Sequence, residues 1–297
     1  MDRLLDSAEV VNETARRRPD GHVRTAVFEY HAYRQRGIAP ALHRGLPSPY
    51  LTLIFTIDEP LEIAQQVDPR RAARQYDSLA GGLHASPAII KHDGAQSGVQ
   101  LLVDPLAARA LFGLPAGELA SYDGDAGDVL GSAAVEVHDQ LREATSWTER
   151  FVILDQVLGR VLDDQRGKVG VPPAAVVHAW QLLLASGGRA SVRALANAVG
   201  YSERHLANQF RTELGLSPKT AARVIRFDRA RRALSGPTPS GVAVRVGEVA
   251  ARHGYYDQSH LVRDFVDFAG CPPRTWLAEE FGNVQAARVV EAADWPA

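Results

Sequence analysis

Apolar and polar positions along the chain predict strands in the first hundred residues and helices after them. Over residues 50–57, apolar side chains occupy alternate positions, with Thr52 and Thr56 between them, and this period of two is typical of a partly buried strand. Weaker strand patterns occupy residues 23–33, 61–65, 88–91 and 99–103. Together they predict a small antiparallel sheet or barrel.

After residue 105 the apolar positions recur every three or four residues, as in helices. One helix is predicted over residues 128–143, and a second begins at the capping box of Ser146 and Glu149. The apolar stripe of the second helix consists of Phe151, Leu154, Leu158 and Val161. These helices either pack on their own domain or form a dimer interface. Residues 163–173 then lose the period, which predicts a linker, placed at 166–173, that tethers two domains loosely.

From residue 191 the chain has the pattern of a helix-turn-helix motif. Apolar spacing predicts a short helix in which the small Ala196 lies where two helices approach closely. Gly200 ends this helix, and Ser202 is a typical N-cap for the next one. The motif is predicted over residues 191–213.

The same pattern returns after a loop at residues 235–241. The positions that repeat after 54 residues are Val192 with Val246, Leu195 with Val249, Ala196 with Ala250 and Gly200 with Gly254. The positions that repeat after 55 residues are Ser202 with Asp257, Leu206 with Leu261, Phe210 with Phe265, Gly215 with Gly270 and Pro218 with Pro273. One inserted turn residue explains the change of offset. Two copies in register predict a second motif over residues 246–268.

A linker helix is predicted between the motifs, over residues 218–234. Ser217 is a typical N-cap and Pro218 a typical first helical residue. At ~1.5 Å per residue this helix spans about 25 Å, which could place two recognition helices about one DNA turn, ~34 Å, apart. Its outer arginines are either solvated or in contact with phosphates, and they are Arg223, Arg226, Arg229, Arg231 and Arg232.

The net charge of −2 would by itself argue against a nucleic-acid partner, but the charge is unevenly distributed. Residues 189–274 hold 14 Lys and Arg against 7 Asp and Glu, whereas the rest of the chain holds 19 against 28. Lys219 is the single lysine of the basic segment. Arginine can grip a phosphate or a guanine with two hydrogen bonds, so this segment suits a DNA partner.

Cysteine usage and the N-terminus bear on the compartment. Cys271 is the one cysteine, so neither an intrachain disulfide nor a cysteine zinc site can form, and a reducing cytoplasm is expected. The N-terminus has no apolar core of signal-peptide length, and no uncharged stretch approaches the roughly 18–20 residues of a membrane helix. We expect a cytoplasmic protein without a membrane partner.

Residues 174–282 resemble the DNA-binding domain of the AraC/XylS family of transcription regulators. The resemblance rests on Leu195-Ala196, Gly200-Tyr201-Ser202, Leu206, Phe210, Gly215-Leu216-Ser217-Pro218, Arg226, Ala230, Val249-Ala250, Gly254-Tyr255, Asp257-Gln258-Ser259-His260-Leu261, Arg263-Asp264-Phe265 and Gly270-Cys271-Pro272-Pro273. It implies seven helices, with one helix of each motif in a major groove. Asp264 departs from the pattern, because its charge would repel a nearby phosphate unless Arg263 or a backbone amide offsets it.

The predicted DNA-binding residues lie on the second helix of each motif. In the first copy, Leu206 and Phe210 mark the buried line. The residues off that line are Arg204, His205, Ala207, Asn208 and Arg211. By position, the family resemblance implies DNA contacts from Arg204, Ala207, Asn208, Gln258, Ser259, Val262 and Arg263, and His260 completes the predicted set.

Residues 1–165 resemble the sensing and dimerising half of such regulators, which is often a cupin-like barrel followed by helices. The predicted class is therefore α+β: a cupin-like antiparallel barrel or sheet, two helices, and an all-α domain with two helix-turn-helix motifs joined by a linker helix. The predicted domains are a sensing and dimerisation domain at 1–165, a linker at 166–173, a DNA-binding domain at 174–285 and a tail at 286–297.

The predicted function is a sequence-specific transcription regulator that binds double-stranded DNA and is controlled by a small molecule in the N-terminal domain. The alternative is an effector-independent regulator controlled by a partner protein or by abundance, and an apolar pocket in the sheet would discriminate between them. RNA polymerase and a second copy of the chain are candidate partners, and no cofactor is predicted. A cupin-type metal enzyme is disfavoured because the chain has no His-x-His ligand pair.

Overall fold

A computed structural model of the chain describes residues 10–236 and 245–281. Within these residues, strands dominate up to residue 125 and helices follow, so the predicted α+β class is confirmed. The predicted tail at 286–297, the domain end at 285 and most of the loop at 235–241 lie outside the described residues.

The strands of the described residues form two antiparallel sheets. In chain order they are β1 (Val11–Arg17), β2 (Val27–Arg36), β3 (Ala41–Gly45), β4 (Leu51–Thr56), β5 (Leu61–Gln65), β6 (Arg74–Tyr76), β7 (Ser78–Gly81), β8 (Ala88–His92), β9 (Gln96–Val103) and β10 (Asp123–Asp125). The first sheet has the spatial order β1-β2-β9-β4-β7-β10, and the second β3-β8-β5-β6. The sequence predicted either a barrel or a sheet. The described strands form two separate sheets and no closed barrel.

Strand β4 is buried on both faces, although its sequence predicted burial on one. Leu53 and Phe55 are fully buried, as the alternation required, but Ile54 and Thr56 on the other face are buried too. Ile54 packs in an apolar cluster with Ile63 and other residues of the second sheet. The hydroxyl of Thr56 donates to the backbone oxygen of Asp77 at 2.9 Å. The second sheet therefore covers the face that the polar threonines had suggested was open.

The strand predicted over residues 23–33 begins later than expected. Gly21–Thr25 is a short 3-10 helix, and β2 starts only at Val27. This turn packs on a later helix at Gly159, where a Cβ would lie 3.5 Å from the His22 ring. The close contact holds Val23 in the core, where it is 2% exposed.

Helices form the rest of the described chain. In order they are α1 (Ala108–Phe112), α2 (Gly127–Leu130), α3 (Ser132–Glu143), α4 (Trp147–Gln165), α5 (Ala174–Ala185), α6 (Val192–Ala198), α7 (Glu203–Leu214), α8 (Pro218–Ser235), α9 (Val246–Arg252), α10 (Gln258–Ala269) and α11 (Pro273–Phe281). The last seven, α5 to α11, agree with the seven helices that the family resemblance implied for the C-terminal part.

Two predicted boundaries differ from the structure. The helix predicted over 128–143 is divided into α2 and α3 at Gly131, whose φ of 57° is in the left-handed region and interrupts the helix. Helix α4 continues to Gln165, so residues 163–165 are helical and the irregular segment is 166–173. The capping box at the start of α4 is confirmed in part, since Ser146 Oγ accepts from the Glu149 amide at 3.2 Å.

Helix α4 packs on its own sheet. Phe151, Leu154 and Leu158 of its apolar stripe are at most 4% exposed, and Phe151 stacks on Tyr30 with ring centroids 5.8 Å apart. The hydroxyl of Tyr30 donates to Asp155 at 3.0 Å. The apolar stripe of α4 therefore packs on its own domain, as the first of the two alternatives stated. It is not free to form a dimer interface.

The two halves of the chain pack directly on one another. Arg109 of α1 donates two hydrogen bonds, of 3.0 and 2.8 Å, to the buried carboxylate of Glu213 at the end of α7. Gly117 approaches the same helix so closely that a Cβ there would lie 2.1 Å from the Thr212 oxygen. Arg44 of β3 pairs with Glu279 of α11. Contrary to the loose tether expected from the linker sequence, the halves thus share a built interface.

Candidate nucleic-acid interface

The first motif consists of α6 and α7, joined by a tight turn. Ser191 caps α6 by accepting from the Ala194 amide at 3.1 Å, and Ser202 caps α7 by accepting from the His205 amide at 3.2 Å. Between them Gly200 has a φ of 71°, a conformation that glycine adopts without strain. The predicted caps and turn of this motif therefore form as the sequence indicated.

The second motif, α9 and α10, repeats this construction. Gly254 has a φ of 77°, and Asp257 Oδ1 accepts from the His260 amide at 2.7 Å. The residue that lengthens this turn by one is Tyr256, whose side chain is 94% exposed. Glycine again ends the recognition helix, since Gly270 has a φ of 72°. The change from a 54-residue to a 55-residue offset is therefore located at Tyr256.

Each motif has a small residue at the position where the sequence predicts its two helices to cross. Ala196 is 1% exposed and Ala250 is 0% exposed. The carbonyl oxygens of these alanines accept hydrogen bonds from the amides of Tyr201 and Tyr255, at 2.9 and 3.0 Å. Both alanines are thus buried just before the turn, and their place at the helix crossing stays a prediction.

Most of the ten predicted DNA-binding residues lie on the open faces of α7 and α10. The exposed ones are Arg204, His205, Asn208, Arg211, Gln258, Ser259 and Arg263, and the half-buried ones are Ala207, His260 and Val262. None of the ten is buried, whereas Leu206, Phe210, Leu261 and Phe265 on the opposite faces are fully buried. The described structure thus leaves both predicted faces free to meet a ligand.

A tyrosine–histidine contact, which the sequence reasoning did not identify, occurs in both motifs. The Tyr201 and His205 rings meet edge to face with centroids 4.3 Å apart, and the Tyr255 and His260 rings do so at 5.1 Å. The signal was present in the sequence, because each tyrosine follows the turn glycine and the pairs are related by the same repeat. Both histidines are thereby held at the first turn of a recognition helix.

Asp264 is partnered by a residue other than those expected. Its carboxylate is 2% exposed and accepts from Arg223 of α8 at 2.7 and 3.1 Å, instead of meeting Arg263. Arg223 also pairs with Asp267. Although burial lowers the pKa of Arg223, these hydrogen bonds raise it above its ordinary value overall. Because Asp264 points into the domain and is neutralised there, it presents no charge to a phosphate.

The arginines of α8 divide into paired and open groups. Arg231 and Arg232 both bind the buried Asp228 of the same helix, at 2.6 and 2.8 Å. Arg226 lies over the Tyr255 ring at 5.5 Å, and Arg229 is exposed. The expectation that all five arginines face outward is therefore wrong, because acidic residues inside the domain engage three of them.

The described part of the chain contains neither a membrane-spanning helix nor a metal-binding cluster. No helix in it is long and apolar enough to cross a membrane. No three His, Cys, Asp or Glu side chains in it converge as a metal ion would require.

Comparisons with known proteins agree with this geometry. Residues 195–279, which run from within α6 to within α11, match the family described as a helix-turn-helix domain. An apo variant of ToxT from Vibrio cholerae strain SCE256 has a similar fold, with 10% identity and a TM-score of 0.50 over 84% of this chain and 96% of that chain. Wild-type ToxT from the same strain with bound unsaturated fatty acid has 9% identity and a TM-score of 0.50, over 89% of this chain and 97% of that chain.

No curated protein matches the chain in sequence. The family match covers the C-terminal part, where the two motifs carry the predicted caps, turn glycines and small crossing residues. These residues are the ones on which the resemblance to AraC/XylS regulators was based. Residues 195–279 of this chain are a helix-turn-helix domain, and their caps, turn glycines and small residues follow the AraC-type pattern.

Proposed function

We propose that the chain is a sequence-specific regulator of transcription that reads double-stranded DNA with α7 and α10. The observation that carries the proposal is the pair of equivalent recognition helices, each capped, each closed by a left-handed glycine, and each with an open polar face. The base-reading set is the ten residues predicted from the sequence. Asn208 and Arg263 are its strongest members, because an amide and a guanidinium can each make two hydrogen bonds to one base edge.

The length of α8 supports binding to adjacent major grooves. It has 18 residues, and at ~1.5 Å per residue it is about 27 Å long. With the width of the flanking helices, this suits two grooves about one turn, ~34 Å, apart on one face of the duplex. A single chain is therefore expected to occupy one asymmetric site of two half-sites.

Selection of bound fragments from a random DNA library, followed by footprinting, tests this function. We expect one enriched asymmetric sequence, protected in two adjacent major grooves. Binding of every fragment with equal affinity would contradict it, since that result would leave only the sequence-independent attraction of basic residues to phosphates.

The regulation that we propose is control by a polar small molecule in the N-terminal half. A cleft of about 360 Å³ opens beside β2, β8 and β9, and its lining includes Tyr33, Thr56, His92, Gln96 and Ser97. Burial raises the pKa of Tyr33 to about 12, so its hydroxyl stays protonated at neutral pH. The lining also carries charged groups, among them Glu62, Lys91 and Asp93, so the cleft suits a polar effector. This cleft is not the apolar pocket that the sequence analysis named as the mark of an effector. A fatty acid, such as the one bound to ToxT, would meet few apolar side chains in it.

Thermal melting of the full chain with sugars, amino acids and amines tests the effector. We expect at least one compound to raise the melting temperature, since a ligand that binds only the folded state stabilises it, and the variant Gln96→Leu to reduce that shift. If no polar compound stabilises the chain, the effector-independent alternative, with control by a partner protein or by abundance, is favoured.

A homodimer and a contact with RNA polymerase complete the proposal. With the stripe of α4 buried, a dimer would use the outer surface of α3 and α4, where Val135 and Val152 are exposed. Sedimentation of the full chain together with Val135→Asp would test this surface. A monomer at all concentrations would contradict the dimer while leaving the single-chain DNA site intact.

A further inference from the structure

A groove of about 670 Å³ lies between the first helix-turn-helix motif and the second recognition helix. Its walls are the segment before α6, the N-terminal half of α8, and one side of α10. Arg263 and His260 belong both to this groove and to the predicted base-reading set. The groove is thus continuous with the proposed recognition face of α10, and it begins where the first motif begins.

Two glycines account for the depth and shape of the groove. Gly187 and Gly188 have φ values of 63° and 74°, and a Cβ on Gly188 would lie 2.2 Å from the backbone oxygen of Ala222 in α8. The turn before α6 can therefore touch the backbone of α8. This contact brings Arg189 beside the second motif, where its aliphatic carbons are within 2.7 Å of the Cβ position of Gly254.

The groove is strongly positive. Arg223 pairs with both Asp264 and Asp267, the two acidic residues in its lining, and offsets one of their two negative charges. Four further cations line it without an ion pair among the described residues, and they are Arg189, Lys219, Arg226 and Arg263.

One of these cations, Arg226, is incompletely hydrogen-bonded. The Nε atom of Arg226 is buried and has no hydrogen-bond partner among the described residues. The half-buried Arg226 therefore adds to the groove a positive charge that no described carboxylate offsets.

We propose that this groove binds the phosphodiester backbone of the DNA segment between the two half-sites. The inference rests on the proposed function, and it adds a contact that carries no sequence information. Arg189 and Lys219 belong to two different walls of the groove, and Ser191 at the start of α6 also lines it. Phosphate contacts fix the register of a protein on a duplex, so the groove would hold the two recognition helices on one continuous stretch of DNA.

The test is the salt dependence of DNA binding, measured by fluorescence anisotropy on the full chain with selected and random duplexes. In the double variant Arg189→Gln, Lys219→Gln, we expect the slope of log affinity against log salt to become shallower by about 0.9 for each lost contact. The ratio of specific to random binding should stay within about twofold, since no base contact is removed. Lys219→Arg should keep the slope, and so should Arg142→Gln, which removes an exposed arginine of α3.

A second measurement changes the DNA instead of the protein. Methylphosphonate linkages, which are uncharged, replace the phosphates between the half-sites of the selected duplex. We expect wild-type affinity to fall and the affinity of the double variant to change little, because the variant has already lost the partners of those phosphates. This arm also separates backbone binding from capture of a free anion, which uncharged linkages would leave unaffected.

The outcomes separate this inference from the proposed function. If the wild-type chain has no preferred sequence, the function itself fails. If it binds its site specifically but the double variant keeps the wild-type salt slope, or if the uncharged linkages have no effect, the groove does not hold the backbone. A clear fall in the ratio of specific to random binding in the double variant would also overturn the inference, because it would show that the groove reads bases. Lys219→Gln alone, at an exposed position, repeats the measurement if the double variant misfolds.

Discussion

Arg223 and Arg263 carry the same charge but meet different surroundings. Arg223 is tied to Asp264 within the domain and lies 4.7 Å over the Phe268 ring, so it stabilises the contact of α8 with α10. Arg263 neighbours Asp264 in sequence, yet it points outward from α10. The periodicity of a helix explains the difference, since successive residues are about 100° apart around its axis.

We expect Asn208→Ala and Arg263→Ala to weaken specific DNA binding more than random binding. Each removes a side chain that can make paired hydrogen bonds to a base edge, at about 1–3 kcal/mol of discrimination. Gel-shift titrations with the selected site and with random DNA measure the two affinities. Equal losses on both would reassign these residues to phosphate contacts, and unchanged melting temperatures would show that the fold is intact.

His43 provides a pH test of the N-terminal half. Burial, together with the nearby His92, lowers the pKa of His43 from 6.5 to about 4, so the folded state holds it neutral. A lowered folded pKa contributes stability above pH 6.5, and this stability is lost as the pH falls toward 4. By pH 5 the loss amounts to about 2 kcal/mol.

We therefore expect acidification from pH 7 to pH 5 to destabilise the wild-type chain more than the variant His43→Gln. Urea unfolding followed by tryptophan fluorescence at the two pH values measures the difference. His205→Gln, which changes an exposed histidine of α7, is the control and should keep the wild-type response. Identical acid sensitivity in His43→Gln would contradict the argument.

At the scale of elements, each motif depends on how closely its two helices cross. Side-chain volume at the crossing sets the distance, and in both motifs the residue predicted there is a buried alanine. The turn glycines Gly200 and Gly254 then set the angle between the helices, because both adopt positive φ. Position and angle together decide whether the polar faces of α7 and α10 project from the domain.

We expect Ala196→Leu and Ala250→Leu to lose DNA binding by distorting this crossing. Three extra carbons in a packed contact typically cost about 1–3 kcal/mol. The exposed neighbours Ala198 and Ala251, on the same helices, supply the matched controls Ala198→Leu and Ala251→Leu. Melting temperatures and gel shifts of the four variants test this prediction. Wild-type stability in both Ala196→Leu and Ala250→Leu would show that the motifs are placed in the wrong register.

At the scale of the whole molecule, the N-terminal half of the chain packs against the end of α7. Glu213 is 6% exposed and its carboxylate is held by Arg109, which belongs to the other half of the chain. The hydrogen bonds that Arg109 donates to Glu213 raise the pKa of Arg109 above its ordinary value. A displacement of α1 in the N-terminal half would therefore act directly on α7 through the contact of Arg109 with Glu213.

We expect Arg109→Gln to destabilise the chain by about 1–3 kcal/mol, since it leaves a buried carboxylate without its charged partner. The same variant should alter DNA affinity although Arg109 lies outside the recognition face. Arg109→Lys keeps the charge and should recover much of the stability. A variant with reduced stability but unchanged DNA affinity and unchanged effector response would restrict this ion pair to a structural role.

The sequence by itself determined the features whose causes are local. Caps at Ser191, Ser202 and Asp257 need only an amide three residues away, and the turn glycines need only a free φ. Both recognition helices and their open faces could therefore be predicted, as could the register of the repeat. The same holds for the overall division into strands and helices, which depends on periods of two and about 3.6 residues.

Only the tertiary structure decided which distant groups meet. Asp264 pairs with Arg223, 41 residues away in the sequence, and Glu213 pairs with Arg109, 104 residues away. No local sequence pattern predicts these pairings. The burial of both faces of β4 and the use of the α4 stripe inside the chain likewise depend on which surface covers them. The basic groove exists because a glycine pair lets one loop touch α8. Periodicity tells which face of an element is apolar, but packing decides what that face contacts.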